Sequence, residues 1–402
     1  MSKDVHVHSE GILPVQSLRQ LVDAGMVTHE EEFPFEEDQF QPNSIDLRLG
    51  RVAHRVRCSF LPEDETVPEK VERLRQYSFS IEDGAVLEPN CVYIIPLLEG
   101  LNLPEHSVSR QQHLFPDAPL SMISGPESPY LSARANPKST TGRLDIFTRV
   151  IANYSHRFEE IQSGYQGPLW LEVVPKSFPI RVRTGHRLNQ LRIRHGYHEL
   201  DDEALIQTHE RDPLLFDASG IPLDSEALRV NQGLFLSVNL IPGSDRDGII
   251  GYKARNHRDL IDLDKTHHYD VGDYWEPIQS RDGDPVILEP EAFYIFASRE
   301  RCRIPAHLAA EMIAYDTGSG ELRTHYAGFF DSGFGGSVED GGARAVLEVR
   351  SHDVPFMIEH GQTFCSMKFE TNSERPEFVY GHEIQSNYQG QGLKLGKHFK
   401  QP

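Results

Sequence analysis

The sequence predicts a mainly β protein built from two tandem domains of one fold. Two observations carry that prediction. Blocks of residues recur in the same order along the chain, and its apolar segments are short, alternating and punctuated by Gly and Pro. Leu87-Glu88-Pro89, Tyr93, Pro104 and His106 return as Leu288-Glu289-Pro290, Tyr294, Pro305 and His307, offset by 201. Leu171-Glu172-Val173, Pro179 and Gly185 return as Leu347-Glu348-Val349, Pro355 and Gly361, offset by 176. Gln41, Ile45, Leu47 and Leu49 answer to Gln232, Leu236, Val238 and Leu240 at an offset of 191. The chain of 402 residues divides into a first copy over 1–198, an acidic linker over 199–228 and a second copy over 229–402, each within the ordinary size of a domain.

The elements follow in order. Ile12 to Gly25 reads as a short helix, with Pro14 in its first turn, Leu18, Leu21 and Val22 on one face and Gly25 as its stop. Ile45-Asp46-Leu47-Arg48-Leu49 alternates as a strand and ends at Gly50. Val92 to Ile95, Leu169 to Val174 and Ile180 to Ile193 are further strands, rich in β-branched and alternating residues. The arginines between Arg181 and Arg194 read as the solvated face of an edge or outer strand. The change of offset leaves about 25 extra residues in the first copy, roughly His113 to Pro137, which read as a Pro/Ser-rich loop of the length that often serves as a lid. Within the linker, Asp202 to His209 is a short helix, and Asp212-Pro213 and Gly220-Ile221-Pro222 are breakers.

The bulk properties exclude several classes. Hydrophobic residues make up 38% and charged residues 25%, which is ordinary for a soluble domain. No stretch approaches the ~20 apolar residues of a membrane span, and Met1 to Glu10 lacks the apolar centre of a signal peptide. The expectation is a cytoplasmic protein without a membrane partner. A net charge of −21 repels nucleic acid polymers, although a local group of cations can still hold a small anion. Cys58, Cys91, Cys302 and Cys365 stand far apart and form no Cys-x-x-Cys pair, so neither a zinc site nor a redox motif is expected.

The two copies differ where chemistry would lie. The first carries Asn136-Pro137-Lys138-Ser139-Thr140-Thr141-Gly142-Arg143, in which two cations flank hydroxyls and a glycine, a composition that suits phosphate oxygens and equally a plain turn. The second has Tyr315-Asp316-Thr317-Gly318 in the corresponding region, without a cation. The second instead carries Ala327-Gly328-Phe329-Phe330-Asp331-Ser332-Gly333-Phe334, where the first replaces the acid with Gln162. Both set a glutamate in an apolar strand, Glu172 and Glu348. Such a residue ordinarily faces water; facing a pocket, its pKa would rise and suit it to moving protons near neutral pH.

Taken together, these segments resemble the superfamily of dCTP deaminases and trimeric-type dUTPases. Gln41 to Gly50 is similar to its early strand signature, and Lys138 to Arg143 to its Arg-Ser-Ser-Leu-Ala-Arg phosphate segment, with Lys for the first Arg. Asp331-Ser332-Gly333-Phe334 resembles the base-and-sugar hairpin, Val346-Leu347-Glu348 the strand bearing the deaminase glutamate, and Tyr388-Gln389-Gly390-Gln391 the closing tail. The resemblance implies two dUTPase-like domains of the jelly-roll or β-clip type with a few short helices. It is greatest to the duplicated bacterial dCTP deaminases.

By that resemblance dCTP is the substrate, with dUTP as a further one, dTTP as an inhibitor and a homo-oligomer as the assembly. Mg²⁺ would arrive with the triphosphate and no zinc would be used. Ser139 and Arg143 would orient nucleotide and water, and Lys138 and Thr140 would meet phosphate. Ala327 and Asp331 would hold base and sugar, and Tyr388 and Gln391 would close the site. A glutamate would take a proton from water as it attacks C4 of cytosine. The complementary losses favour a composite site with Lys138, Ser139 and Arg143 facing Glu348. Segregation of like domains into threefold rings would favour Glu172 of another chain. A dUTPase or bifunctional enzyme, or a nucleotide-binding regulator, are the competing functions.

Overall fold

The structure, a computed structural model, describes residues 9–105, 130–196, 198–243, 248–314, 322–324, 328–351, 353–381 and 392–400. It is mainly β. In the first half, Arg187–His195 is flanked by Gly11–Ile12 and Ile45–Arg48 on one side and by Leu131–Pro137 on the other, with Glu160–Ile161 beyond. A second sheet runs Arg75–Ser80, Val52–Val56, Val92–Asn102, Gln166–Pro175 and Ile146–Ala152, with Val27–His29 also on Val92–Asn102. Ile45, Leu47, Ala135 and Leu191 of the first sheet share one apolar core with Ile95, Leu97, Leu171 and Val173 of the second, as in a β-sandwich.

The second half repeats this plan. Leu234–Ser237, Thr363–Thr371, Leu308–Ala314 and Gly328–Phe330 form one sheet. Trp275–Gln279, Ile249–Ala254, Phe293–Cys302, Ala343–Ser351 and Leu322–Thr324 form the other, joined by Leu215–Phe216. Small details recur with it. The Tyr93 hydroxyl accepts from Glu88 N at 3.1 Å and the Tyr294 hydroxyl from Glu289 N at 2.8 Å. Buried Glu99 accepts from Arg48 N at 2.7 Å, and Glu300 accepts from Ser237 N at 2.8 Å.

Those bonds correct one of the repeat alignments. Ile45 pairs with Leu191 while Leu234 pairs with Met367, so the early strands are offset by 189, not 191. A slip of two residues leaves every side chain on its own face, so alternation in the sequence cannot detect it.

Other expectations are met or displaced in physical terms. The first helix is Val15–Asp23, with Leu18 and Leu21 buried and Gly25 at φ 73° beyond it. The stretch 180–193 is two strands rather than one. Ile180–Val182 pairs with Ala85–Leu87, and after a turn at Gly185, Arg187–His195 enters the first sheet as an interior strand. Its arginines are therefore not an outer face: Arg192 is 2% exposed, because the second half packs over that side of the sheet. The last seven residues of the expected insertion, Leu131–Pro137, are a central strand, and residues 106–129 lie outside the described residues. The acidic linker is built into the second half. Asp202–Arg211 is a helix capped by Asp201, Leu205, Leu214 and Leu215 are buried in that half's core, and Leu215 pairs with Cys302.

The first half's core continues into the second half, which keeps a further core of its own. Trp275 and Tyr274 meet Phe178 with ring centroids 5.6 Å apart, and Phe399 meets Trp275 at 5.9 Å. Ile261–Asp262 of the second half adds a parallel strand to Ile180–Val182 of the first. Among the described residues no helix is long and apolar enough to cross a membrane.

Candidate active site

A cavity of about 640 Å³ opens between the halves. The first half supplies Asp46 from Ile45–Arg48, Arg187 and Gln190 from Arg187–His195, and Lys138, Ser139, Thr140 and Arg143 from the helical turn that follows Leu131–Pro137. The second half supplies Phe329, Phe330 and Asp331 from its hairpin, Val346 and Glu348 from Ala343–Ser351, Tyr380, and Lys397 and His398 from the last described segment.

Strand alternation aims Glu348. Ala345, Leu347 and Val349 turn into the second half's own core, which puts Val346, Glu348 and Arg350 on the face that meets the first half. Glu348 is 7% exposed, and burial pushes its carboxyl up to about 8, against the pull of the nearby Arg143 guanidinium. Arg143 is itself buried and donates from Nη1 to Lys394 O at 3.0 Å. Two residues beyond Glu348, Arg350 pairs with Asp145, so the Ser139–Arg143 turn and the glutamate strand are clamped together.

Glu172 occupies the matching place in the first half, opposite Ile94 as Glu348 is opposite Ile295. It does not line the cavity. Its Oε1 accepts from Arg149 Nε at 3.0 Å and Nη2 at 2.5 Å, and the guanidinium lies 3.6 Å over the Phe158 ring. The structure thus brings Lys138, Ser139, Thr140 and Arg143 together with Asp331 and Glu348, and leaves Glu172 in an ion pair elsewhere.

Asp331 is fixed from the first half. Arg192 donates to its Oδ1 at 3.0 Å while stacking 4.0 Å from the Phe329 ring. Burial raises the Asp331 carboxyl, and Arg192 offsets only part of that rise. The neighbouring Ser332 donates from its backbone N and Oγ to Asn43 Oδ1, each at 2.8 Å, so the early signature positions the opposite hairpin. Ala327, Tyr388 and Gln391, as well as the 315–318 counterpart of the Lys138 segment, lie outside the described residues.

Around Lys138 the cavity has a cationic quarter with further residues that the sequence did not single out. Asp46, 1% exposed, pairs with Lys138, and its Oδ1 has no hydrogen-bond partner among the described residues. Lys397 sits near Lys138, Asp46 and Arg187, and burial, with Lys138, lowers its pKa. His398 is 2% exposed and burial depresses it to about 4, so it is neutral at physiological pH. Asp46 stands inside a strand signature, where it reads as ordinary alternation. Lys397 and His398 come from the far end of the chain and carry no local pattern.

Comparison with known proteins adds the following. Residues 9–112 and 125–197 match the family described as 2'-deoxycytidine 5'-triphosphate deaminase, N-terminal domain, and residues 201–399 match its C-terminal domain. The crystal structure of 2'-deoxycytidine 5'-triphosphate deaminase from Agrobacterium tumefaciens superposes with a TM-score of 0.80 at 42% identity, over 93% of this chain and 99% of that one. A curated relative from Ignicoccus hospitalis, dCTP deaminase, is 22% identical over 38% of this chain and 67% of its own length. A relative from Methanosphaera stadtmanae, named dCTP deaminase, dUMP-forming, is 28% identical over 32% of this chain and 64% of its own length.

Proposed function

The chain belongs to the dCTP deaminase family, and from that premise we propose that the interdomain cavity converts dCTP and water to dUTP and ammonia, with Glu348 carrying the protons. One observation carries the reading: a buried carboxyl with a raised pKa lines the same cavity as Ser139 and Arg143. A group titrating near 8 enters the cycle protonated at neutral pH. It first gives its proton to N3 of cytosine, which makes C4 electrophilic. The resulting carboxylate takes a proton from water as the water oxygen bonds to C4. That proton then passes to the amino group, the C4–N bond breaks and ammonia leaves. The remaining hydroxyl proton returns to Glu348 as C4=O forms, restoring the starting state.

The other residues bind and orient. Ser139 and Arg143 hold the nucleotide and the water against Glu348, Asp331 meets the sugar, and Lys138, Arg187 and Lys397 offset triphosphate charge. The sequence lacks the Cys-x-x-Cys pair of zinc deaminases, which supports assigning the water to Glu348. Magnesium fits as a companion of the phosphates. The described residues form no group of three or more His, Cys, Asp or Glu suited to hold a metal, and Asp46, with its unpartnered Oδ1, would meet the ion or its water. Bound there, Mg²⁺ would neutralise phosphate charge.

The test is release of ammonia from dCTP and its loss in Glu348→Gln. Activity that survives Glu348→Gln but disappears in Glu172→Gln would reverse the assignment. A second reading, hydrolysis onward to dUMP and pyrophosphate, is favoured by relatives named dUMP-forming and by the two carboxylates, Asp46 and Asp331, near Lys138. Chromatography of the dCTP products separates the two: dUTP alone supports the first and dUMP the second.

A further inference from the structure

We propose that Gly142 is a positioning residue for the deamination: its missing side chain is what lets the Glu348 carboxylate seat against the Ser139–Arg143 turn. The inference rests on the reading of Glu348 as the proton carrier. A Cβ placed on Gly142 would lie 2.7 Å from Glu348 Cδ and 2.8 Å from Oε1, with Oε2 closer still. The three nearest atoms all belong to that one carboxylate, so the space left by the glycine is the space the carboxylate fills.

The backbone itself does not ask for glycine. Gly142 lies in a right-handed helical turn, where alanine is the better residue. The left-handed position nearby is Asp145, at φ 56°. The motif this segment resembles also carries Ala at this point, so a methyl group is compatible with the turn. In this chain the space a methyl group would fill is taken by the Glu348 carboxylate.

The backbones on both sides are held in place. The turn is held by Thr141 Oγ1 donating to Leu188 O at 2.7 Å and by Asp145 N donating to Gly142 O at 2.8 Å. Arg350 ties Asp145 to the glutamate strand. With turn and strand clamped, a methyl group at 142 has to be accommodated by rotation of the Glu348 side chain, which takes the carboxylate away from the turn. A shift of that size at a proton carrier costs rate and spares binding by the rest of the cavity.

The experiment compares Gly142→Ala with the parent protein, in both the Glu348 and the Glu348→Asp background. The expected result is a melting temperature no lower than the parent's, KM for dCTP within about twofold, and kcat reduced by about 10- to 100-fold. The fall of kcat at high pH should also move to lower pH, because renewed hydration and distance from Asp145, which lower the carboxyl's pKa, outweigh the lost pull of Arg143. In the Glu348→Asp background, whose shorter side chain clears the methyl, Gly142→Ala should change kcat by less than about twofold, a non-additivity that direct contact predicts. Unchanged kcat and pH profile in Gly142→Ala overturn the proposal, and so does loss of the folded state, which would mean that the turn needs the glycine for itself. The underlying reading fails separately, if Glu348→Gln keeps its turnover.

Discussion

Arg192, on an interior strand of the first domain, donates to Asp331, on a hairpin of the second, at 3.0 Å, and both side chains are nearly removed from water. The same guanidinium reaches Ala310 O at 3.1 Å and lies on the face of Phe329. With Asn43, which accepts from Ser332, Arg192 holds the hairpin that forms a wall of the cavity. Its neighbours extend the seam: Arg134 and Asn136 donate to Glu311 at 2.8 and 2.9 Å.

Removing one partner of such a pair strands the other charge in a dry place. Arg192→Met is expected to destabilise the protein by about 3–5 kcal/mol, and adding Asp331→Leu should restore part of that loss. Urea unfolding of the two single variants and the double variant checks this. Additive losses would show that the pair is not coupled.

The two glutamates should separate cleanly. Glu348→Gln is expected to lower kcat by about 10²–10⁴ with little change in melting temperature. Glu172→Gln should leave turnover near the parent level and cost about 1–3 kcal/mol of stability, through the weakened Arg149 interaction. Steady-state rates and thermal melts on the same preparations decide it.

Stability and activity should both fall with rising pH. Glu348 is raised from its ordinary value to about 8. Between roughly pH 4.5, where the unfolded chain loses this proton, and pH 8, the native state binds more protons, so unfolding free energy declines as pH rises and levels off above 8. Activity that starts from the protonated carboxyl should decline above about pH 8. Unfolding curves from pH 5 to 9 should show a shallower decline in Glu348→Gln.

Lys397 should act on binding rather than chemistry. Lys397→Met is expected to raise KM for dCTP about tenfold with kcat within about threefold, since one cation near the phosphates is worth about 1.4 kcal/mol on that scale. The loss should shrink as salt is added. A fall in kcat at unchanged KM would place Lys397 at the base instead.

The sequence discloses the duplication, the β character and the complementary losses, because each is written in local order. Lys138, Ser139, Arg143 and Glu348 follow from those losses. Register does not follow: offsets of 189 and 191 keep the same faces, and only pairing partners tell them apart. The Arg187–His195 strand looks solvated because Arg192 and Arg194 are answered by acids from the other domain, far along the chain. Leu131–Pro137 was hidden by the Pro/Ser-rich residues before it. Asp46, Lys397 and His398 have no sequence signal, since their meaning comes from burial beside a cavity that neither half contains alone.

The shared core has a consequence for inheritance. Phe178 of the first half lies among Tyr274 and Trp275 of the second, and Phe399, near the far end of the chain, closes the cluster. Duplicated genes usually leave a spare that can drift or be discarded. Here the second half supplies part of the first half's interior, so its removal would open that core to water, and what began as redundancy has become dependence.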